Sequence, residues 1–118
     1  MADSGDPWHA SLADGAAAHA LAESREGKAF AQLLTHGSMR LLYYAPRGTD
    51  PQEPHQQDEL YVVASGRGTF TRNGERIPFE PGDVLFVAAA DEHRFEDFSD
   101  DFATWVIFYG PPGGEAVV

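Results

Sequence analysis

The sequence predicts a single all-β domain of the barrel or jelly-roll type, preceded by an Ala-rich arm or short helix. The chain has 118 residues, a length that suits one domain rather than two. After Leu33, short runs of Val, Phe, Tyr and Thr are separated by Gly, Pro and Asp at intervals of about 8 to 12 residues, as in sandwiches and barrels. About eight such strands favour a closed barrel or jelly roll, because this architecture buries strand edges.

The predicted elements follow one another in a simple order. Residues 8–33 are rich in Ala, with apolar side chains such as Leu12 and Leu21, and could form a short helix or an extended arm. The dipeptide Asn73-Gly74 predicts a tight hairpin between the fourth and fifth strands, since both residues tolerate positive φ. The eight predicted strands are Phe30–Leu34, Ser38–Tyr44, Glu59–Val63, Gly68–Arg72, Glu75–Phe79, Val84–Val87, His93–Glu96 and Thr104–Tyr109. The expected arm, barrel and frayed tail cover residues 1–27, 28–112 and 113–118.

Composition excludes several classes of function. With 8 Lys and Arg against 19 Asp and Glu, the formal net charge is −11, and such a chain would repel the phosphates of a nucleic acid. The absence of cysteine excludes disulfides, thiolate metal sites and Cys nucleophiles, so any metal must be bound by His, Asp or Glu. No apolar run is long enough to span a membrane, and Met1–Pro7 is acidic where a signal peptide would be basic. We therefore expect a cytoplasmic protein without nucleic-acid or membrane partners.

A first cluster of chemically interesting residues precedes and enters the third predicted strand. If that strand runs unbroken, strand alternation places one set of side chains on a single face: Glu53, His55, Gln57, Glu59 and Tyr61. That face would carry His55 and Glu59 into the interior together, where a bound metal would offset the cost of burying them. The alternative is a solvent-exposed loop ahead of the strand, in which both side chains are simply hydrated.

A second cluster lies around His93. The tripeptide Pro81-Gly82-Asp83 predicts a turn, Val84–Val87 an apolar strand, and His93 the start of another strand with Phe95 on the same face. A lone His at a strand start is more often a hydrogen-bonded structural residue than a metal ligand. His93 is therefore a candidate metal ligand only in combination with the first cluster.

The two clusters together resemble the two motifs of the cupin superfamily. The first family motif is G-x5-H-x-H-x3,4-E-x6-G, and here His55 takes the second His position, Glu59 follows after three residues and Gly66 after six more. The second motif is G-x5-P-x-G-x2-H-x3-N, and Gly82 and His93 fall in its register. The resemblance implies a small single-domain cupin β-barrel of the cupin 2 type, with a metal site inside it.

The match covers roughly residues 48–97 and departs from the family pattern at five motif positions, of which the first is the leading Gly, since Gly48 does not fit the spacing of the first motif. Glu53 stands where the first motif has its first His, so one family ligand is missing. In the second motif Ala88 replaces Pro, Ala90 replaces Gly and Asp97 replaces Asn. These last three changes affect turns and the surface rather than ligand atoms.

The resemblance implies that His55, Glu59 and His93 bind one divalent metal ion. Two imidazoles and one carboxylate suit non-haem Fe(II), but the same set also binds Zn²⁺, and Mn or Ni remain open, so the metal is not identified. Glu53 or Gln57 could add a further ligand, because both share the predicted face. The alternative is an empty pocket left by the loss of the first His.

Two functional classes follow from the resemblance. The first is a small-molecule metalloenzyme of oxygenase, isomerase or lyase type, for example a non-haem dioxygenase, with Glu53 or Tyr61 as catalytic candidates. The second is a non-catalytic cupin that binds a small ligand or a metal as a sensor or storage module. In either class the partner is a small molecule. A homodimer is expected, since both faces of Thr104–Tyr109 are apolar and one could meet a second subunit.

Three further histidines have no partner at ligand spacing. These are His9, His19 and His36, and we expect them to be exposed to solvent.

Overall fold

The computed structural model describes residues 7–117, and its elements are one helix followed by eight strands. The acidic residues at positions 1–6, on which the expectation about a signal peptide depends, and residue 118 of the predicted tail lie outside the described part. The helix and strands are α1 (Leu12–Glu26), β1 (Phe30–His36), β2 (Met39–Tyr44), β3 (Asp58–Ser65), β4 (Gly68–Arg72), β5 (Glu75–Phe79), β6 (Val84–Val87), β7 (His93–Glu96) and β8 (Ala103–Tyr109).

The strands form two antiparallel sheets that enclose one core. The larger sheet has the order β1-β2-β8-β3-β6 and the smaller one the order β5-β4-β7. Both sheets contribute to one cluster of buried side chains, including Tyr61 and Val106 from the larger sheet and Phe70 and Phe95 from the smaller one. The all-β jelly-roll prediction is therefore confirmed, although strand pairing in the described chain does not run continuously around the barrel.

Four of the eight predicted strands, β4 to β7, have the bounds expected from the sequence. The others differ from prediction by one or two residues at an end, and the difference at β3 matters most. This strand begins at Asp58, so residues 51–57 are irregular and the predicted two-residue alternation does not extend back to Glu53. Glu59 and Tyr61 alone of the predicted set lie within the strand, and both are fully buried.

The helix α1 covers the outer face of the larger sheet. It begins with a capping box in which Ser11 and Asp14 exchange hydrogen bonds, and it ends at Gly27 with a left-handed φ of 67°. Tyr43 and Trp105, which are paired across β2 and β8, point outward and pack against the helix at Gly15. His19, a residue of α1 whose ring lies near that of Tyr43, is only 8% exposed, so the expectation that this side chain is solvated is wrong.

The C-terminal tail approaches the residues ahead of β3. The N–H of Gly113 donates to the carbonyl of Gln56 (2.7 Å), and the N–H of Glu115 donates to the buried carboxylate of Asp58 (2.8 Å). The extent of fraying in this segment, like the other domain bounds, stays a prediction. Among the described residues no helix is long and apolar enough to cross a membrane.

Candidate metal centre

The three predicted ligand residues come from different parts of the fold. Glu59 lies on β3 and points into the core, because it shares the inward face with Tyr61. His93 opens β7 in the opposite sheet, with its side chain fully buried. His55 lies in the irregular segment ahead of β3 and its side chain is one-third exposed. The centre therefore lies between the two sheets and reaches solvent on the side of His55.

The ligand atoms of these residues converge. One such atom from each of His55, Glu59 and His93 lies within 4.8 Å of the other two. Nε2 of His93 is 3.0 Å from Oε1 of Glu59, and Nε2 of His55 is 4.0 Å from the same oxygen. The two imidazole ring centres are 5.4 Å apart. The arrangement is that of a group able to bind a metal ion.

Unsatisfied polar atoms support this interpretation. Within the described part of the chain, neither carboxylate oxygen of Glu59 nor Nε2 of His93 has a hydrogen-bond partner, although all three atoms are buried. The 3.0 Å approach of His93 to Glu59 is therefore close but not aligned as a hydrogen bond. Buried polar atoms without partners are costly, and a divalent cation would satisfy all three at once. The residues present fit a metal.

A backbone contact sets the orientation of the His93 ring. Nδ1 of His93 lies 2.9 Å from the carbonyl oxygen of Asp91, which can only accept, so Nδ1 carries the proton and donates. The lone pair of the neutral ring is then on Nε2, which faces Glu59 and His55. Metal-bound histidines commonly use this kind of outer hydrogen bond to hold their tautomer.

The irregular segment that carries His55 is held by two sets of hydrogen bonds. The N–H of Ala90, in the turn before β7, donates to the carbonyl of His55 (2.7 Å) and so joins the two motifs. The buried carboxylate of Asp50 accepts from the hydroxyl of Tyr44 (2.5 Å) and from the N–H of Phe95 on β7 (2.9 Å). These contacts tie the segment to both sheets and place His55 beside His93.

Gln52 is a residue of the site that no sequence pattern indicates. Its Nε2 donates to Asp50 (2.9 Å), so its Oε1 is turned toward the centre, where it accepts from the hydroxyl of Tyr61 (3.0 Å). The same oxygen lies 3.4 Å from Nε2 of His55. No motif position corresponds to Gln52, and its orientation depends on Asp50, a buried residue that no pattern singled out.

The electrostatic environment differs between the titratable groups. Burial lowers the pKa of His55, and the charge of Glu59 only partly opposes this. Burial also disfavours the charged form of His93, but Glu59 and the Asp91 carbonyl outweigh it and raise the pKa of His93. Burial, with the nearby charge of Glu59, raises the pKa of Tyr61 well above its ordinary value. Tyr61 therefore stays protonated at neutral pH.

The other predicted site residues lie outside the converging group. Glu53 is exposed and, with Gln52 and His93, lines an open cavity of about 360 Å³. The Gln57 amide donates to the carbonyls of Gly110 (2.9 Å) and Ser38 (3.3 Å), and its oxygen accepts from Arg40. The structure thus gives Gln57 other partners, and the roles predicted for both residues remain predictions.

A second, larger cavity opens beside His55. It has a volume of about 550 Å³, within the usual range of about 300 to 1,000 Å³ for small-molecule sites. Its walls are mostly apolar, with Gln52 and His55 on the side of the metal centre. The lining residues include Leu42, Val106 and Phe108 from the larger sheet.

The chain is thus a small antiparallel jelly roll in which two His and one Glu converge between the sheets and could hold a metal ion. Residues 40–109 match the profile of the cupin domain, more than half of the chain. The chain belongs to the cupin family, as the two motifs predicted.

The chain is similar to proteins of several kinds. The chain is 39% identical over 85 residues to the uncharacterized protein SCO3923 of Streptomyces coelicolor, covering 70% of this chain and 81% of that protein. It is 38% identical over 56 residues to the HTH-type transcriptional activator RhaS of Mannheimia succiniciproducens, covering 48% of this chain but only 21% of RhaS. A crystal structure of the DMSP lyases RdDddP and RnDddQII matches with a TM-score of 0.59 and 29% identity, over 70% of this chain and 47% of that one.

Proposed function

We propose that the chain is a metal-binding cupin that acts on a small organic molecule. The observation that carries this proposal is the convergence of His55, Glu59 and His93, with buried, unsatisfied ligand atoms, next to a cavity large enough for such a molecule. The proposed reaction class is lyase, isomerase or oxygenase. The similarity to a structure of DMSP lyases supports the lyase member of this set.

His55, Glu59 and His93 would hold one divalent ion, with Fe, Mn, Zn and Ni all compatible with the ligand types. Such an ion supplies Lewis-acid polarisation of a substrate oxygen. Among candidates for a further ligand, the Gln52 oxygen is the best supported, since it lies 3.4 Å from Nε2 of His55. Glu53 and Gln57 remain weaker candidates, because one is exposed and the other has partners elsewhere.

Among the predicted catalytic candidates, Tyr61 is the better placed. Its hydroxyl reaches Gln52 at the edge of the centre, and its raised pKa keeps the phenol protonated. A protonated phenol donates rather than accepts a proton, so we propose Tyr61 as a general acid or hydrogen-bond donor to the substrate. Glu53 is exposed and lies outside the converging group, which makes it the weaker candidate.

Metal content of purified variants tests the proposal. We expect about one ion per wild-type chain by elemental analysis after loading with Zn²⁺, Mn²⁺ or Fe²⁺, and a loss of affinity of at least about 100-fold in His55→Ala and His93→Ala. His36→Ala is the matched control, because His36 is exposed at the end of β1 and should leave affinity unchanged. A wild-type protein that binds none of these ions would refute the metal centre.

The second candidate function is a non-catalytic sensor or storage module. The similarity to RhaS favours this second function, because RhaS is a transcriptional activator. The chain matches about a fifth of the length of RhaS. The two candidates differ in turnover. If metal-loaded protein binds small organic molecules but neither consumes O₂ nor converts them, the sensor function is supported; detectable conversion that disappears in Glu59→Gln supports the enzyme.

A further inference from the structure

One cation beside the candidate metal centre has no acidic partner within the described part of the chain. Arg40 lies on β2, partly buried, with its guanidinium carbon 4.7 Å from the centre of the Phe108 ring. Its only side-chain hydrogen bond to a described residue goes from Nη2 to Oε1 of Gln57 (3.1 Å). A guanidinium has five N–H donors, so most of the Arg40 donors have no acceptor among the described residues.

This lack of a partner is unusual for the molecule. In a chain with 8 cationic and 19 acidic side chains, the other basic residues are either paired with a carboxylate or exposed. Five ion pairs within the described residues join Lys28 to Glu26, Arg47 to Glu23, Arg67 to Glu80, Arg72 to Asp91 and Arg76 to Asp97. Arg25 and Arg94 lack such partners but are exposed to water. Arg40 alone combines partial burial with no ion pair in the described chain.

The guanidinium is also held in place. Gln57 is oriented by its two donations to the carbonyls of Ser38 and Gly110, so its oxygen presents a fixed acceptor to Arg40. The guanidinium carbon lies over the Phe108 ring, and the centre of this ring is 4.9 Å from that of His55 in an edge-to-face arrangement. A charge held in this way is prepared for an anion, because little side-chain entropy is lost on binding.

Arg40 belongs to the wall of the 550 Å³ cavity. The same cavity is lined by His55 and by the apolar side chains of Leu42, Val106 and Phe108. An occupant would therefore meet an apolar surface, a single fixed positive charge and a residue of the metal centre. Small-molecule sites commonly combine an apolar lining with a few such polar groups.

We propose that this cavity binds an organic monocarboxylate with an apolar body, whose carboxylate is received by Arg40. The planar fork of a guanidinium matches the two oxygens of a carboxylate, and the charge-assisted bonds are stronger than neutral ones. The apolar body packs on Leu42, Val106 and Phe108, and the ligand extends toward His55. The proposal rests on the proposed function only in making this ligand the substrate or effector of the metal centre.

A monoanion fits better than a phosphate monoester. The other basic residue of the cavity, Lys28, is exposed and paired with Glu26 at 3.0 Å, which leaves one unpaired cation to balance the ligand charge. The net charge of −11 adds a repulsive field for a second negative charge. Phosphate recognition more often draws on several donors around the oxygens.

Titration with simple carboxylates tests the proposal. Benzoate and hexanoate are added to ¹⁵N-labelled protein, with benzamide as the neutral analogue and phenyl phosphate as the dianion. We expect benzoate and hexanoate to shift signals around Arg40 and Phe108, with benzamide and phenyl phosphate binding more weakly. Arg40→Met should weaken benzoate binding by about 10- to 100-fold and leave the affinity for benzamide unchanged. Arg25→Met, an exposed and unpaired arginine on α1, is the matched control and should bind like wild type.

The relative affinities for these ligands decide whether the proposal stands. Equal binding of benzoate and benzamide, or benzoate shifts confined to other surfaces, overturns the proposal; stronger binding of phenyl phosphate overturns the monoanion. If Arg40→Met is misfolded by circular dichroism, Arg40→Lys replaces it and should lose most of the preference for benzoate over benzamide. The titration is repeated after treatment with a chelator. Carboxylate binding at Arg40 in a protein that takes up no metal refutes the proposed metal centre but retains this inference.

Discussion

Two buried carboxylates show how residues of one type take different roles. Asp50 is 3% exposed and accepts hydrogen bonds from Tyr44, Phe95 and both the backbone and the amide of Gln52. Glu59 is fully buried, and neither of its oxygens has a hydrogen-bond partner among the described residues. The Asp50 carboxylate already has hydrogen-bond donors, whereas the buried Glu59 carboxylate needs a cation to offset the cost of its burial. Asp50 is thus a structural residue and Glu59 the candidate ligand.

Removal of Asp50 should destabilise the fold. Asp50→Ala leaves the Tyr44 hydroxyl, the Phe95 N–H and the Gln52 amide without an acceptor, and we expect a loss of about 2 to 4 kcal/mol in the free energy of unfolding by urea denaturation. Asp100→Ala, at an exposed position, should change stability by less than about 0.5 kcal/mol. A similar, small effect of both substitutions would contradict the network.

The glycine missing from the second motif leaves a strained backbone. Ala90 has a φ of 70°, in the left-handed region that an L-residue other than Gly adopts at a cost. Ala90→Gly should therefore stabilise the protein by about 0.5 to 1 kcal/mol, after allowance for the greater freedom of Gly in the unfolded chain. Ala89→Gly, one residue away and without positive φ, should destabilise it by a similar amount. A loss of stability in Ala90→Gly would argue against this strain.

At the scale of elements, α1 packs against the outer face of β8. The sequence predicted an arm or a short helix, and the structure forms a 15-residue helix with a capping box and a glycine end. The helix occupies the outer face of β8 at Trp105, a face that its apolar pattern had equally suited to a second subunit. Sequence pattern alone did not show this, because the apolar outer face of β8 suits a helix and a subunit equally.

Close packing at Gly15 gives a prediction opposite to helix propensity. Ala is the better helix former by about 1 kcal/mol, but a Cβ here would lie 2.5 Å from Cδ2 of Tyr43 and 2.9 Å from Cη2 of Trp105. We expect Gly15→Ala to destabilise the protein by about 1 to 2 kcal/mol in chemical denaturation. Ala17→Gly on the exposed side of α1 calibrates the propensity effect and should cost about 1 kcal/mol. A stabilised Gly15→Ala would mean that the helix is not seated on the sheet.

At the scale of the whole molecule, three exposed apolar side chains of β5 and β6 lie together and line one cavity. Val84 and Phe86 lie on β6, which ends the larger sheet, and Ile77 lies on β5, which ends the smaller one. Their exposed fractions are 60%, 45% and 49%. An edge strand with exposed apolar side chains is a common place for two copies of a chain to meet.

We therefore predict a homodimer that uses β6. Light scattering after size-exclusion chromatography at micromolar concentration should give twice the chain mass, and Phe86→Glu should give a monomer. Leu21→Glu is the control, because Leu21 is similarly exposed (51%) but lies on α1, away from β6. A monomeric wild type would contradict the homodimer, and a dimeric Phe86→Glu would contradict its location.

The sequence by itself determined the jelly roll, most strand bounds and the three residues whose ligand atoms converge. Period-two alternation, turn residues and motif spacing are local properties, so they can be recognised along the chain. Only the tertiary structure decided that the Gln52 oxygen faces the centre, and that Arg40 has no carboxylate partner among the described residues. The segment before β3 has no regular period, and its side chains are oriented by distant contacts such as that of Asp50 with Phe95, 45 residues away in sequence.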